Sequence, residues 1–217
     1  MHLQLTDISK TFQRGGDSIR PVVEASLTVA PGELVGLQGP SGSGKSTLLL
    51  IAGGLLSPDG GSVRWDETDP YGLSGDARTA LRGQSIGFVF QQFYLIPYLS
   101  VRDNVLAAGV GLPIEQCRDT ADRLIERFGL TERRLHHPAR SARRTPARHS
   151  RGRCCGHLAS SWPMSRRATW MRTTARSSCR RLREVTESGT AVLLVTHDDK
   201  AVQIADRVLR MRDGKPL

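Results

Sequence analysis

Residues 39–47 form a nine-residue glycine-rich segment, Gly-Pro-Ser-Gly-Ser-Gly-Lys-Ser-Thr, which few folds can accommodate. A short apolar run, residues 33–38, precedes the loop, and residues 46–52 have the composition of a helix start. The loop fits the pattern GxxxxGK[ST], and a strand before it with a helix after it is the context in which that pattern binds phosphate. Glycines let the backbone curl so that successive N–H groups point inward, and the helix N-terminus adds partial positive charge. We therefore predict a phosphate site, and the strand–helix context disfavours the alternative of an ordinary Gly-Ser turn.

The polar groups of this loop predict a nucleotide site with separate tasks. The Lys45 ammonium can reach the β and γ phosphates, and the Ser46 hydroxyl can ligate Mg²⁺. The N–H and hydroxyl of Thr47 are expected near the α phosphate. The predicted nucleotide-binding residues of the loop are Gly39, Pro40, Ser41, Gly42, Ser43, Gly44, Lys45, Ser46 and Thr47.

Strand and helix candidates alternate along the chain, which predicts an α/β fold with a mostly parallel central sheet. Residues 2–6 alternate apolar and polar as an edge strand would, and residues 22–29 read as a second strand. Residues 86–90 and 191–195 are apolar runs typical of buried strands. Residues 113–128 have helical spacing, with a predicted apolar face of Ile114, Cys117, Ala121, Leu124 and Ile125.

Four further landmarks lie at informative distances from the glycine-rich loop. Phe12 closes the run Ile-Ser-Lys-Thr-Phe, and Gln91 lies within Ile-Gly-Phe-Val-Phe-Gln-Gln-Phe. His197 lies in Val-Thr-His-Asp, directly after the apolar run 191–195. Residues 206–214, Asp-Arg-Val-Leu-Arg-Met-Arg-Asp-Gly, resemble the closing hairpin of a known protein family. Taken singly, a lone Phe is usually a core residue and a His at a strand end is usually structural, so these landmarks are informative only together.

Together these landmarks resemble the ATP-binding subunits of ABC transporters. The resemblance covers residues 1–138 and about 184–217, and the sequence around Gln91 is similar to that of the lipoprotein-release and macrolide-export type. The resemblance implies a P-loop NTPase fold with an N-terminal antiparallel β part and a helical subdomain near residues 92–140, within one domain of residues 1–217. It implies that Phe12 stacks on adenine, that Gln91 contacts Mg²⁺ and the attacking water, and that His197 contacts the γ phosphate. ATP and Mg²⁺ are the implied cofactors. The implied partners are a transmembrane permease subunit and, with ATP bound, a second copy of the chain.

Charge is distributed very unevenly along the chain. Between Glu132 and Glu184 there is no acidic residue, and that interval holds 15 Arg and no Lys. Without those arginines the formal charge falls from +10 to −5, so the remainder is an ordinary acidic protein. The interval also holds three of the four Cys and two of the three Trp, without the CxxC spacing of a zinc site. The abrupt change of composition requires its own explanation.

Two expected parts of the family are not written in this interval: the Leu-Ser-Gly-Gly-Glu/Gln signature, and an apolar strand ending in Asp-Glu. A change of reading frame accounts for both. Residues 162–171 can be back-translated as TGG CCG ATG AGC CGA CGG GCA ACC TGG ATG, which from the third letter reads Ala-Asp-Glu-Pro-Thr-Gly-Asn-Leu-Asp. Residues 143–149 can be back-translated as CGG CGA ACG CCA GCG CGT CAC, which from the second letter reads Gly-Glu-Arg-Gln-Arg-Val. We therefore predict that about residues 141–183 are out of frame.

If the sequence is literal, we expect the chain to fold poorly around its central sheet, because Pro163 lies where a central strand should run. Hydrolysis of ATP is expected to be slow or lost. The alternatives are a catalytically dead nucleotide-binding remnant, a DNA-associated ABC ATPase, and a kinase or GTPase. A natural basic nucleic-acid arm is the competing explanation of the arginines, although we expect no direct nucleic-acid partner.

Length and hydropathy bound the location of the protein. The chain of 217 residues suits one full-sized core, and it has no apolar run of 18 or more residues. Its first residues lack the basic and apolar regions of a secretory signal. We therefore expect a cytoplasmic protein that is held at the inner face of the cell membrane through a permease partner.

Overall fold

A three-stranded antiparallel sheet is formed by the first part of the chain. In the computed structural model, which describes residues 1–89, 95–109, 113–137, 168–172, 176–196 and 202–217, its strands are β1 (Leu3–Arg14), β2 (Asp17–Val29) and β4 (Gly60–Trp65). The order is β2-β1-β4. The predicted strand at residues 2–6 is confirmed, but its assignment as an edge strand is wrong, because β1 lies between two partners. Alternation reports one buried face, here Leu3, Leu5 and Ile8, and carries no information on how many strands pair.

A six-stranded sheet with mostly parallel pairing carries the glycine-rich loop. Its order is β5-β6-β7-β3-β8-β9, and β3 pairs in parallel with both β7 and β8. The buried run of β7 and the closing hairpin of β8 and β9 confirm two sequence predictions. The strands are β3 (Leu34–Gln38), β5 (Ile86–Val89), β6 (Ala168–Arg172), β7 (Ala191–Val195), β8 (Arg207–Arg212) and β9 (Lys215–Pro216).

The position of β6 corrects the expectation built on Pro163. We predicted that Pro163 lies where a central strand should run, whereas the strand beside β7 is Ala168–Arg172, in parallel register from Ala168↔Ala191 to Arg172↔Val195. A parallel pair of strands is held by backbone N–H and C=O groups. Residues that are atypical of a buried strand, such as those of Ala168–Arg172, can therefore pair if none of them is proline. Pro163 itself lies outside the described residues.

Among the described residues the helices are α1 (Lys45–Ala52), α2 (Gly75–Ser85), α3 (Val101–Ala107), α4 (Ile114–Arg127) and α5 (Arg176–Glu187), with a 3₁₀ turn at Thr131–Arg133. Within this set, no helix is both long enough and apolar enough to cross a bilayer.

Helix α4 confirms the predicted apolar face only in part. Cys117, Ala121 and Ile125 are buried against Val101 and Val105 of α3, and Leu124 is half-buried. Ile114 is 55% exposed, so this member of the predicted apolar face is not buried. It is the first residue of the helix, one turn before Cys117, and therefore lies beyond the packed cluster.

Contacts divide the chain into two compact units. The first comprises Met1–Ile86 and Ser165–Leu217 and includes the antiparallel sheet, β3, α1 and the last three strands. The second comprises Gly87–Met164 and includes α3 and α4. The boundary falls within β5, after Ile86. The predicted subdomain limits near residues 92 and 140 stay a prediction.

Asp206 ties the beginning of β3 to the beginning of β8. Its Oδ2 accepts a hydrogen bond from Leu34 N at 2.9 Å, its own N donates to Leu34 O at 2.8 Å, and Arg183 Nη1 lies 2.6 Å from its Oδ1. The Leu34 N–H and then the Arg183 guanidinium lower the pKa of the Asp206 carboxyl below its usual value of 3.8. The ionised carboxylate is therefore a native-state contact.

We expect Asp206→Ala to lower the free energy of unfolding by about 1–2 kcal/mol, a modest value because the ion pair is partly exposed. A group with a lowered folded pKa contributes stability above its unfolded pKa and loses it as the pH falls through the folded one. The difference between wild type and variant should therefore be full at neutral pH and shrink below about pH 4. Urea unfolding at several pH values measures it, with Glu115→Ala, from an exposed pair with Arg118, as the control. A difference independent of pH would contradict the assignment.

Candidate functional site

The glycine-rich loop lies at the carboxyl end of β3, and the strand–loop–helix context predicted for it is confirmed. β3 ends at Gln38 and α1 begins at Lys45. The neighbouring strand β7 ends beside it, since Val195 is in register with Leu37 and Thr196 N donates to Leu37 O at 3.3 Å. The carboxyl edge of a parallel sheet is where such folds bind ligands.

Two glycines of the loop are enclosed by backbone that is remote in the sequence. A Cβ on Gly39 would lie 2.1 Å from the carbonyl oxygen of Met211, and a Cβ on Gly44 would lie 1.7 Å from that of Pro21. Gly44 also has a φ of 94°, which L side chains rarely adopt. By contrast, a Cβ on Gly42 would meet nothing within 4 Å. Pro21 and Met211 thus shape the loop, and no local signal in the sequence identified them.

The Lys45 side chain is folded back across the loop. Its Nζ donates to Gly39 O at 2.9 Å, to Pro40 O at 2.6 Å and to Ser43 Oγ at 3.0 Å. Lys45 is only 9% exposed, so its positive charge is held in a nearly buried position. A buried ammonium strengthens any interaction with an anion, because the surrounding dielectric constant is low.

The N-terminus of α1 is arranged to receive an anion. Gly44 is the capping position, and it supplies no side-chain hydrogen bond to the first turn. No acidic residue lies in that turn, and the Ser46 and Thr47 side chains are half-buried beside it. Uncapped N–H groups, the helix dipole and the Lys45 charge all favour negative charge at this point. The residues present therefore fit a phosphate group, and the Ser46 hydroxyl is a suitable Mg²⁺ ligand.

Phe12 lies on β1 in the same compact unit, opposite Ile19 of β2. Phe12 is 40% exposed, which is high for a large apolar residue and leaves surface for stacking. Lys10 Nζ lies 5.7 Å from the ring centroid. This exposure suits the predicted contact with a base, which stays a prediction.

Gln91 and His197 lie outside the described residues, as do residues 141–167 and 173–175 of the interval 141–183. Their predicted roles therefore stay predictions. The described chain stops two residues before Gln91, at the end of β5, and one residue before His197, just after β7.

A phosphate loop joining a parallel strand to a helix, with a lysine and two hydroxyls at its end, defines a P-loop nucleotide-binding protein. Comparison with known proteins agrees. The sequence profile of the family described as "ABC transporter" matches residues 22–154. The lipoprotein-releasing system ATP-binding protein LolD of Hyphomonas neptunium is 35% identical over 98% of this chain and 95% of the relative. The macrolide export ATP-binding/permease protein MacB of Syntrophobacter fumaroxidans is 36% identical over 98% of this chain but 30% of the relative.

A solved structure gives the same answer for the fold. The dimeric ATP-binding cassette MJ0796, in a post-hydrolysis state with ADP and Pi, superposes with a TM-score of 0.80 at 28% identity. The superposition covers 99% of this chain and 96% of that one. The chain belongs to the ABC transporter family and is an ATP-binding subunit. Nothing in these comparisons favours the DNA-associated, kinase or GTPase alternatives.

Proposed function

We propose that this chain is the motor subunit of a lipoprotein-release or export system, binding ATP and Mg²⁺ in the loop of residues 39–47. The observation that carries the proposal is the nearly buried Lys45 ammonium, held inside a glycine loop at an uncapped helix N-terminus. The loop N–H groups and Lys45 bind phosphate oxygens, and Thr47 lies near the α phosphate. Mg²⁺ supplies charge neutralisation for the β and γ phosphates, and Ser46 and Gln91 would hold it. Phe12 stacks on the adenine, and His197 contacts the γ phosphate.

Two copies of the chain are proposed to close on ATP and to act on a transmembrane permease. Support comes from the dimeric form of the cassette MJ0796 and from the relative MacB, whose name joins an ATP-binding and a permease function and of which the chain covers 30%. The location that follows is cytoplasmic, at the inner face of the membrane through that permease. The proposed cargo, a lipoprotein or an exported compound, is inferred from the names of the relatives LolD and MacB.

We further propose that residues 141–183 are out of frame, so that the chain as written binds ATP and hydrolyses it poorly. The interval lacks acidic residues altogether, and therefore lacks both the carboxylate that holds Mg²⁺ and the glutamate that acts as general base. A catalytically dead remnant is the second candidate, and it applies if the frame changes are present in the gene.

Substitution of Lys45 by Ala tests the nucleotide site. We expect MgATP to bind roughly 100-fold more weakly, because charge-assisted contacts to phosphate contribute about 1.5–3 kcal/mol each. Equilibrium titration at fixed ionic strength measures the affinity. The control is Lys215→Ala, which removes an exposed lysine of β9 that is paired with Glu24. An affinity unaffected by Lys45→Ala, with the fold intact by circular dichroism, would overturn the proposed site.

A further inference from the structure

Among the strands that the structure describes, none pairs with the Phe12 segment of β1 on the side opposite β2. Pairing between β1 and β4 ends at Ser9↔Gly60. Beyond that pair, β1 forms hydrogen bonds with Asp59, the residue just before β4. The Asp59 N donates to Ser9 O at 2.8 Å, and the Asp59 Oδ2 accepts from Thr11 N at 2.7 Å. One carboxylate therefore replaces a strand next to Phe12.

The same carboxylate holds the cation beside the Phe12 ring. Lys10 Nζ lies 2.5 Å from Asp59 Oδ1, and the Lys10 side chain is only 14% exposed. That ammonium is the one 5.7 Å from the ring centroid, within the range of a cation–π interaction. Lys10 and the Thr11 N–H both lower the pKa of the Asp59 carboxyl, so it is ionised throughout the physiological range.

On its other side this segment is irregular. The pairing of β1 with β2 changes register between Ile8 and Lys10 and again between Lys10 and Phe12. Because the register shifts on both sides of Lys10, the pairing with β2 fixes the direction of the following side chains only weakly. The two bonds and the ion pair of Asp59 are therefore well placed to fix the backbone that leads into Phe12.

We propose that Asp59 is a positioning residue for the Phe12 ring, and that through Lys10 and Thr11 it sets the affinity for the base of the nucleotide. The inference rests on the proposed function, in which Phe12 stacks on adenine. Its distinguishing consequence is selectivity. Asp59 should influence ligands that have an adenine and should leave the binding of a bare triphosphate unchanged.

The chain offers a matched control at the other end of β4. Asp59 lies just before β4, and Asp66 lies just after it. The Asp66 Oδ1 accepts a hydrogen bond from the N–H of His2, the residue just before β1, at 2.7 Å, as Asp59 accepts one from Thr11 N. The variants Asp59→Asn and Asp66→Asn make the same chemical change on the same pair of strands. They differ in their distance along β1 from Phe12.

The experiment is equilibrium titration with MgATP and with magnesium tripolyphosphate, which has the phosphates without the base. We expect Asp59→Asn to weaken MgATP about 3- to 10-fold and tripolyphosphate less than about 2-fold, since stacking on the base is the term affected. Asp66→Asn should leave both affinities within about 2-fold. Phe12→Ala should weaken MgATP about 10-fold, and Asp59→Asn added to it should have no further effect.

The possible failures are separable. Equal weakening of both ligands by Asp59→Asn, no weakening, or full additivity with Phe12→Ala would overturn the role of Asp59. An MgATP affinity that Phe12→Ala leaves unchanged would remove the adenine site, and the inference with it. Wild-type binding that does not depend on Lys45 would instead overturn the proposed function as a whole.

A second variant covers the case in which Asp59→Asn does not fold. Lys10→Met keeps the apolar stem and removes the charge, and it should weaken the binding of MgATP in the same way.

Discussion

A chain in which the reading frame is restored across residues 141–183 is expected to hydrolyse ATP at least about 10²- to 10⁴-fold faster than the chain as written. That range is the usual contribution of a positioned general base, and the written interval contains no acidic residue that could act as one. In the proposed frame, restoration is also expected to return a carboxylate for Mg²⁺ and the signature segment, which the family resemblance assigns to the partner's site. Phosphoryl transfer depends on positioning and charge stabilisation, so these losses compound.

The measurement is steady-state ATPase turnover of the purified subunit without a permease, at saturating MgATP, comparing the written and restored chains at equal concentration. The matched control is the restored chain with the glutamate of its Asp-Glu pair changed to glutamine, which should return turnover close to that of the written chain while MgATP binding persists. Ordinary turnover by the written chain would contradict the prediction. Resequencing the gene over the codons for residues 138–184 then decides whether the change lies in the gene or in the reading of it.

The second large effect is expected at Gly44. A Cβ there would lie 1.7 Å from Pro21 O and 2.9 Å from Met211 Cε, at a φ of 94°. The backbone of Pro21 cannot move without disturbing β2, and the backbone of Gly44 cannot move without disturbing the loop. We therefore expect Gly44→Ala to lower the free energy of unfolding by about 3 kcal/mol or more. MgATP should bind roughly 100-fold more weakly, since the loop N–H groups no longer converge. Thermal unfolding and MgATP titration measure the two effects.

Gly42→Ala separates contact from backbone strain. Gly42 has a φ of 83°, close to that of Gly44, but a Cβ there meets nothing within 4 Å. We expect a loss of stability of only about 1–2 kcal/mol, from the left-handed conformation alone. If Gly42→Ala and Gly44→Ala destabilise equally, the enclosure of the loop by Pro21 and Met211 has no energetic weight.

The correct sequence predictions share a physical basis. The strand–loop–helix unit at residues 33–52 is contiguous, and its chemistry depends on neighbours in the chain. The apolar run of β7 is likewise a local pattern, typical of a buried strand, whereas the hairpin of β8 and β9 was expected from the family resemblance. The errors concern partners in space: β1 has a second neighbour, Ile114 lies past the end of its cluster, and β6 begins after Pro163.

Residue types and their spacing were enough to predict a phosphate site at residues 39–47 and the alternation of strands and helices, and to show the change of composition near residue 141. These depend on residue type and short-range order, which a linear pattern contains. Three contacts are visible only in the folded chain: Pro21 and Met211 enclose the loop, Asp206 bonds to Leu34 across 172 positions, and Asp59 bonds to β1 beside Phe12. Such contacts form when strands pair over long sequence separations, where register and turn geometry, rather than residue type, select which groups meet.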